Sequence, residues 1–293
     1  MADLLVHLHV YYHDQVDYFI EKLGNITCVE WDLIVTYSRW DDESAEKFRV
    51  FKPEVRFMKV DNFGYDIWPF IKVIKSIRLE EYKYIVKLHT KRSVGRMQFA
   101  GKSLKGFGWR NALVDGILYS KDYFRSLIDI FEKDKTVGMI SNLYTHCDKD
   151  PYEEFARKEL SRLNLYKLER NICYGTMFIA RSEVLKILQS DLIGEDSFKE
   201  NAVSGSTFGP SHLYERIFSH LSVNYGYRHL GLIPEGKGYL KRKLIKGVEP
   251  VVKFLFCLER KGPERRKFIR ILGISFYLEK KGKYEVPENS VIQ

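Results

Sequence analysis

Within about 90 residues of its start the chain switches four times between a two-residue and a 3.6-residue hydrophobic period, which leaves few folds open to it. Residues 4–12 (LLVHLHVYY) read as a buried strand, and residues 14–23 carry Val16, Phe19, Ile20 and Leu23 at helical spacing. A second strand at 31–36 precedes a helix at 43–51, and a third at 54–60 precedes a helix at 67–77, entered through the turn DNFGYD at 61–66. Residues 82–93 (YKYIVKLHTKRS) open as a fourth strand and stop in His89, Thr90, Lys91 and Arg92. Regular strand and helix alternation predicts a doubly wound, mostly parallel α/β sheet. In such sheets ligands bind beyond the carboxyl ends of the strands, so the basic cluster marks where a pocket is expected. On spacing alone it reads equally well as a solvated basic turn.

The pattern continues less regularly. Residues 93–108 are rich in Gly, Lys and Ser and read as a loop over a site, with no phosphate-loop spacing. Helices are expected at 109–119 and 121–133, a strand at 137–141, a charged helix at 148–170, a strand at 174–181 leading into a helix at 182–189, a loop at 204–210 and a helix at 211–221. No internal repeat or low-complexity linker is present.

Charge separates the chain into two parts. After residue 236 there are 15 Lys/Arg against 6 Asp/Glu, so the whole net charge of +9 sits in that segment and residues 1–236 are neutral. This predicts a globular domain at 1–236 and a basic extension at 237–293. A nucleic-acid reader spreads its basic face over the fold, so no nucleic-acid partner is expected. Apolar runs at 250–260 and 271–277 flank the basic block Arg265, Arg266, Lys267 and Arg270. Read as an amphipathic helical tail, that pattern suits the anionic surface of a membrane; it also suits a helix packed on the domain with its basic side in water. The chain shows neither a signal-peptide pattern nor an apolar window of membrane-spanning length, so a cytoplasmic protein, peripheral at the inner face of the cytoplasmic membrane, is expected. Cys28, Cys147, Cys173 and Cys257 show no CxxC spacing, and this indicates reduced structural thiols rather than a zinc site or a disulfide framework.

Six blocks in order, VHLHVYY, VDNFGYDIWPF, YKYIVKLHTKRS, GWRNALVDGIL, YGTMFIAR and GPSHLYERIF, resemble the rhamnan synthesis protein F family of bacterial polysaccharide glycosyltransferases over roughly residues 4–230. The resemblance implies a GT-A-like fold, a nucleotide-sugar donor and a lipid-linked oligosaccharide acceptor such as an O-antigen or capsule chain. Most GT-A enzymes carry an Asp-x-Asp motif after the fourth strand to hold a divalent metal on the donor diphosphate. Here Leu88-His89-Thr90-Lys91 stands in that place. The charge that develops on a leaving diphosphate then falls to His89, Lys91 and Arg92, and a transferase with no metal and no other cofactor is expected.

Within that frame Asn62, Gly64 and Asp66 match the family's N-x-G-x-D pattern as donor contacts, although the same residues are an ordinary turn signal. Tyr11, beside Tyr12 at the end of the first strand, is placed to stack a base, and Arg110 to point back at the donor phosphates. Gly175, Thr176 and His212 are expected at the acceptor. Glu215 is the first candidate for catalytic base, with His89 and Lys91 as catalytic partners; Glu215 with Arg216 also reads as a surface pair, and Asp148 and Asp150 are weaker candidates. The missing Asp-x-Asp keeps a second reading open, a non-catalytic module that binds a nucleotide or glycan in a polysaccharide assembly complex.

Overall fold

The computed structural model describes residues 2–99, 102–147, 150, 152–199 and 209–234, and, further on, 256–261, 266–271 and 274–278. These divide into two units, one within Met1–Pro234 and one within Glu235–Gln293. In the first, β1 (Leu4–Val10), α1 (Val16–Leu23), β2 (Trp31–Tyr37), α2 (Asp42–Phe51), β3 (Arg56–Lys59), α3 (Ile67–Ser76) and β4 (Tyr84–His89) follow the expected alternation. After them come the hairpin β5 (Val94–Phe99) and β6 (Lys102–Gly106), then α4 (Gly108–Leu118), α5 (Lys121–Lys133), β7 (Val137–Asn142), β8 (His146–Cys147), α6 (Glu153–Arg162), β9 (Ile172–Cys173), β10 (Phe178–Arg181), α7 (Pro210–Asn224) and β11 (Arg228–Leu232).

Seven strands form one sheet in the order β11-β7-β10-β4-β1-β2-β3. All neighbours are parallel except β10, which runs antiparallel to both β4 and β7. The fold is therefore a mostly parallel α/β sheet flanked by helices.

Every residue of β1, β4 and β7 is buried, as expected for strands covered on both faces. Side chains alternate between faces. Leu4, Val6, Leu8 and Val10 of β1, with Tyr84, Val86 and Leu88 of β4, pack with α1, α4 and α5. Leu5, Ile34 and Ile85 face the other way and pack with α3, Phe178 and Phe218. The same two-residue period sends His7, His9, Lys87 and His89 to that second face, where an apolar layer would ordinarily continue.

Several expected spans are corrected. The glycine-rich segment is not an open loop: β5 and β6 pair antiparallel, which satisfies backbone groups that a loop leaves to water. Among the described residues of the charged segment, 153–162 are helical, and Asn164, at φ +57°, takes the chain out of the helix. The strand expected at 174–181 is interrupted by Gly175 (φ +85°) and Thr176 (φ +44°); it starts at Phe178, while Ile172–Cys173 pairs with His146–Cys147 instead. Residues 182–189 form a 3-10 helix. Of the loop expected at 204–210, residues 204–208 lie outside the described residues.

The helical tail is likewise corrected. Phe256–Lys261, Arg266–Ile271 and Ile274–Leu278 form a three-stranded antiparallel sheet (β12 to β14). Their Phe, Ile and Tyr content favours a pleated strand over a helix.

Gly116 is where α4 meets the sheet. A Cβ there would stand 2.4 Å from Asn142 Cβ and 2.8 Å from its Cα and N, with the β7 backbone unable to yield. Gly116→Ala is expected to cost about 1–3 kcal/mol in urea unfolding, whereas Gly95→Ala, with nothing within 4 Å of the new methyl, leaves stability unchanged.

Candidate functional site

The polar face of β1 and β4 is assembled by register. In the parallel pairing His7 lies beside Lys87 and His9 beside His89, and on the other flank Thr36 of β2 lies beside His9. Thr36 Oγ1 stands 2.9 Å from both His7 Nε2 and His9 Nδ1. Sequence reasoning passed over His7, His9 and Lys87. The signal was the alternation itself, VHLHV and IVKLH, which puts every one of these polar residues on a single face.

Lys87 is fully buried, and the three donors of its ammonium group find three acceptors. It donates to Asp66 Oδ2 at 2.5 Å, to the Thr176 carbonyl at 3.1 Å and to Thr176 Oγ1 at 3.0 Å. The rings of Phe70 and Phe218 lie 5.6 and 5.8 Å from the nitrogen. Thr176 Oγ1 in turn donates to Asp66 Oδ2 at 3.0 Å. These bonds hold Thr176 in a left-handed conformation that a β-branched residue rarely adopts. Burial by itself would raise the Asp66 carboxyl. The His89 imidazole and the Lys87 and Lys91 ammonium groups outweigh it and hold Asp66 well below the ordinary carboxylate range. Lys87, with the direct bond, is the partner that matters most at neutral pH.

Two cavities open from this node. One, of about 600 Å³, lies over the carboxyl ends of β1 and β4 and is lined by His9, Tyr11, Tyr12, residues 62–66 and residues 89–92. The other, of about 200 Å³, is lined by Tyr65, Asp66, Ile67, Lys91, Thr176, Ser211, His212 and Glu215. They share Tyr65, Asp66 and Lys91. The Tyr65 ring meets that of His212 edge to face at 5.6 Å. Gly64 and Tyr65 both have positive φ, and a Cβ on Gly64 would stand 2.4 Å from Trp68 Cβ, so the turn that delivers Tyr65 and Asp66 requires glycine there.

The expected donor residues Tyr11, Asn62, Gly64, Asp66, His89, Thr90, Lys91 and Arg92 all line the larger cavity. Their parts differ from expectation. Thr90 Oγ1 accepts the backbone N–H groups of Tyr11 and Tyr12 at 2.9 and 3.0 Å, so its hydroxyl shapes the end of β1. Lys91 is steadied through its backbone: its carbonyl accepts from Gln15 Nε2 at 2.9 Å and its N–H donates to Gln15 Oε1 at 3.3 Å, a brace that sequence reasoning did not foresee. Burial lowers the His89 imidazole well below 6.5 and brings His9 to about 4, so both rings are neutral at pH 7 and His89 is not the fixed cation expected of it. His89 is 3% exposed; Nδ1 lies 3.3 Å from Asp66 Oδ2 outside hydrogen-bonding geometry, and neither ring nitrogen has a hydrogen-bond partner. A buried imidazole on a cavity wall with both nitrogens unsatisfied is set up to bond whatever enters.

Arg110 is not brought to either cavity. Its guanidinium lies 3.6 Å from the Tyr18 ring centroid and 4.2 Å from that of Phe107, with Asn111 Oδ1 accepting from Nε and Nη2. It packs α4 against α1.

Of the expected acceptor residues, Thr176 and His212 line the smaller cavity. Gly175 is needed for packing rather than for approach to a ligand, since a Cβ there would stand 2.7 Å from Leu113 Cδ1. Its N–H donates to Glu215 Oε1 at 2.6 Å and fixes that carboxylate on the cavity wall. The surface pair read for Glu215 and Arg216 is also corrected. Arg216 is buried and bonds Asp150 Oδ1 at 3.0 Å and the His212 carbonyl at 2.6 Å, while Glu215 Oε2 stands 3.7 Å away. That engages Asp150 in a structural pair; Asp148 lies outside the described residues.

Asp66→Asn leaves the Lys87 ammonium buried without a counter-charge and is expected to cost about 3–5 kcal/mol in urea unfolding. Adding Lys87→Met to the same chain recovers part of the loss, because no uncompensated charge remains. The carboxyl titrates lower folded than unfolded, so its contribution is complete above about pH 3.9 and disappears as pH falls through the folded value. Stability measured against pH therefore loses part of its acid limb in Asp66→Asn.

No curated protein matches the chain in sequence. Among solved structures, S. aureus TarS 1-349 is similar at TM-score 0.43 and 7% identity over 80% of this chain; the chain spans 58% of that structure's length. A mycobacterial protein is similar at TM-score 0.38 and 12% identity, over 94% of this chain and 86% of the other. A sequence model of the rhamnan synthesis protein F family matches residues 2–227, a span that contains both cavities and the node between them, and the chain belongs to that family.

Proposed function

We propose that the protein is a GT-A-like glycosyltransferase that moves a sugar, as a hexosyltransferase does, from a nucleotide-sugar to a lipid-linked bacterial polysaccharide acceptor, an O-antigen or capsule chain. The observation that carries the reading is the pair of cavities sharing one wall at Asp66 and Lys91. A reaction that joins two substrates needs two adjoining compartments, and the larger, at about 600 Å³, is of the size that holds a nucleotide-sized ligand.

The larger cavity takes the donor. Tyr11, 44% exposed at its rim, offers a face for the base, and Asn62 a polar contact. Lys91 and Arg92 meet the charge that grows on the nucleoside diphosphate as the glycosidic bond breaks, and His89 adds a neutral hydrogen-bond donor. Asp66 is the one carboxylate on this cavity's wall among the described residues, and its Oδ2 is committed to Lys87 and Thr176. The diphosphate is therefore met by protein cations and needs no divalent ion. In the smaller cavity Glu215, oriented by the Gly175 N–H, accepts the proton of the acceptor hydroxyl as it attacks the sugar's anomeric carbon, with His212 and Thr176 beside it.

No helix among the described residues is long and apolar enough to cross a membrane. The extension, which holds the entire net charge, brings the enzyme to anionic lipid on the cytoplasmic face, where a lipid-linked acceptor resides.

Release of nucleoside diphosphate from UDP-, dTDP- and GDP-sugars tests the catalytic reading. One donor is expected to turn over at the same rate with or without added magnesium or manganese. Glu215→Gln is expected to lower kcat by about 10²–10⁴-fold, and Lys91→Ala to abolish detectable turnover. If no donor is bound or hydrolysed, a non-catalytic binding module takes its place. For the tether, replacing Arg265, Arg266, Lys267 and Arg270 by Gln is expected to weaken sedimentation with anionic liposomes and leave donor turnover intact; equal sedimentation of both forms excludes that role for the block.

A further inference from the structure

Lining neither cavity, three side chains converge from distant parts of the chain. We propose that His146, Cys173 and His229 form a binding site for a zinc-class divalent ion. One ligating atom from each lies within 4.8 Å of the others. Ligands of a tetrahedral ion held at ordinary Zn–N and Zn–S lengths stand about 3.5 Å apart, so small side-chain rotations close the set around an ion. Two imidazoles and a thiolate, with no carboxylate, select zinc over magnesium or calcium.

The backbone builds this convergence. His146 pairs with Cys173 across β8 and β9, while His229 comes from β11. A Cβ on Gly231 would stand 2.7 Å from His146 Cε1, so glycine is required where β11 passes the ring. Ser141 Oγ lies 2.8 Å from Nε2 of both His146 and His229. A plain hydrogen-bonded cluster accounts for that much, since a hydroxyl donates to one imidazole and accepts from the other. It leaves His229 Nδ1 buried with no hydrogen-bond partner, and the buried Cys173 thiol, 3.5 Å from Thr145 Oγ1, stands beside the two imidazoles.

An ion accounts for the whole set. Binding exchanges the Cys173 thiol proton for the metal, releases that proton to solvent, and tightens as pH rises. The Ser141 hydroxyl or a water supplies the fourth, oxygen ligand. The ion would pin together β8, β9 and β11, with Cys173 two residues from the Gly175 that orients Glu215. The proposal stands whether or not the protein is a transferase.

The test uses the full chain, freed of metal by chelator and titrated with Co²⁺. One equivalent is expected to produce a thiolate-to-cobalt charge-transfer band that Zn²⁺ abolishes, and Zn²⁺ is expected to raise Tm. Cys28→Ser keeps the band; Cys173→Ser loses it and binds zinc more weakly by over about 100-fold, beyond the loss typical of removing a second-shell partner. Should Cys173→Ser fail to fold, X-ray absorption of the zinc-loaded wild type decides: one sulfur with two imidazoles supports the site, and a shell of oxygen and nitrogen alone overturns it. Absence of a charge-transfer band in the wild type, or its persistence in Cys173→Ser, overturns it equally.

Discussion

The buried ammonium of Lys87 is the constraint to which the rest of the site is fitted. A lysine on the inner face of a central strand is tolerated only if its charge is met and all three protons are bonded. Asp66 and Thr176 do both, and each does so at a conformational cost. Asp66 follows two successive left-handed residues, and Thr176 is itself left-handed. The node thereby ties the turn before α3, the end of β4 and the approach to β10 to a single point. Both cavities open from it, so the spacing between their contents is set by three hydrogen bonds rather than by loop flexibility.

Charge around that point is graded by depth. The innermost imidazoles, His7, His9 and His89, are neutral because burial removes the water that would stabilise their cations. Farther out, Lys91 is half-buried and Arg92 exposed, and both line the larger cavity. A diphosphate entering the larger cavity would meet hydrogen-bond donors at its floor and full charges at its mouth. Under the proposed function, that division suits a nucleoside diphosphate that gains charge as the glycosidic bond breaks and must afterwards leave.

Much of this was legible in the sequence, residue by residue. The first four strands and three helices follow from hydrophobic period, and the basic cluster after β4 points to the cavity because parallel sheets bind ligands at that end. The antiparallel course of β10 was not legible, since a buried strand reads alike in either direction. The split of residues 174–181 at Gly175 and Thr176 was hidden as well, because the bonds that hold Thr176 left-handed come from Lys87 and Asp66, far away in the chain. Arg110 misled for a related reason: a guanidinium near a flexible segment resembles a phosphate ligand until Tyr18 and Phe107 are seen to stack on it. The tail misled through composition, since apolar and basic alternation suits an amphipathic helix as well as the antiparallel strands observed.

By itself, then, the sequence determined which residues share a face, for side-chain direction along a strand or helix is a local property of the backbone. It determined the class of sheet, the face that carries His7, His9, Lys87 and His89, and the strand end at which the larger cavity opens. Only the tertiary structure decided which groups bond across elements and which stay charged, because both depend on distances between segments 21 to 110 positions apart and on the water excluded between them. The pairing of Lys87 with Asp66, the neutral state of His89, the hold of Gly175 on Glu215, and the meeting of His146 with Cys173 and His229 all belong to that second kind.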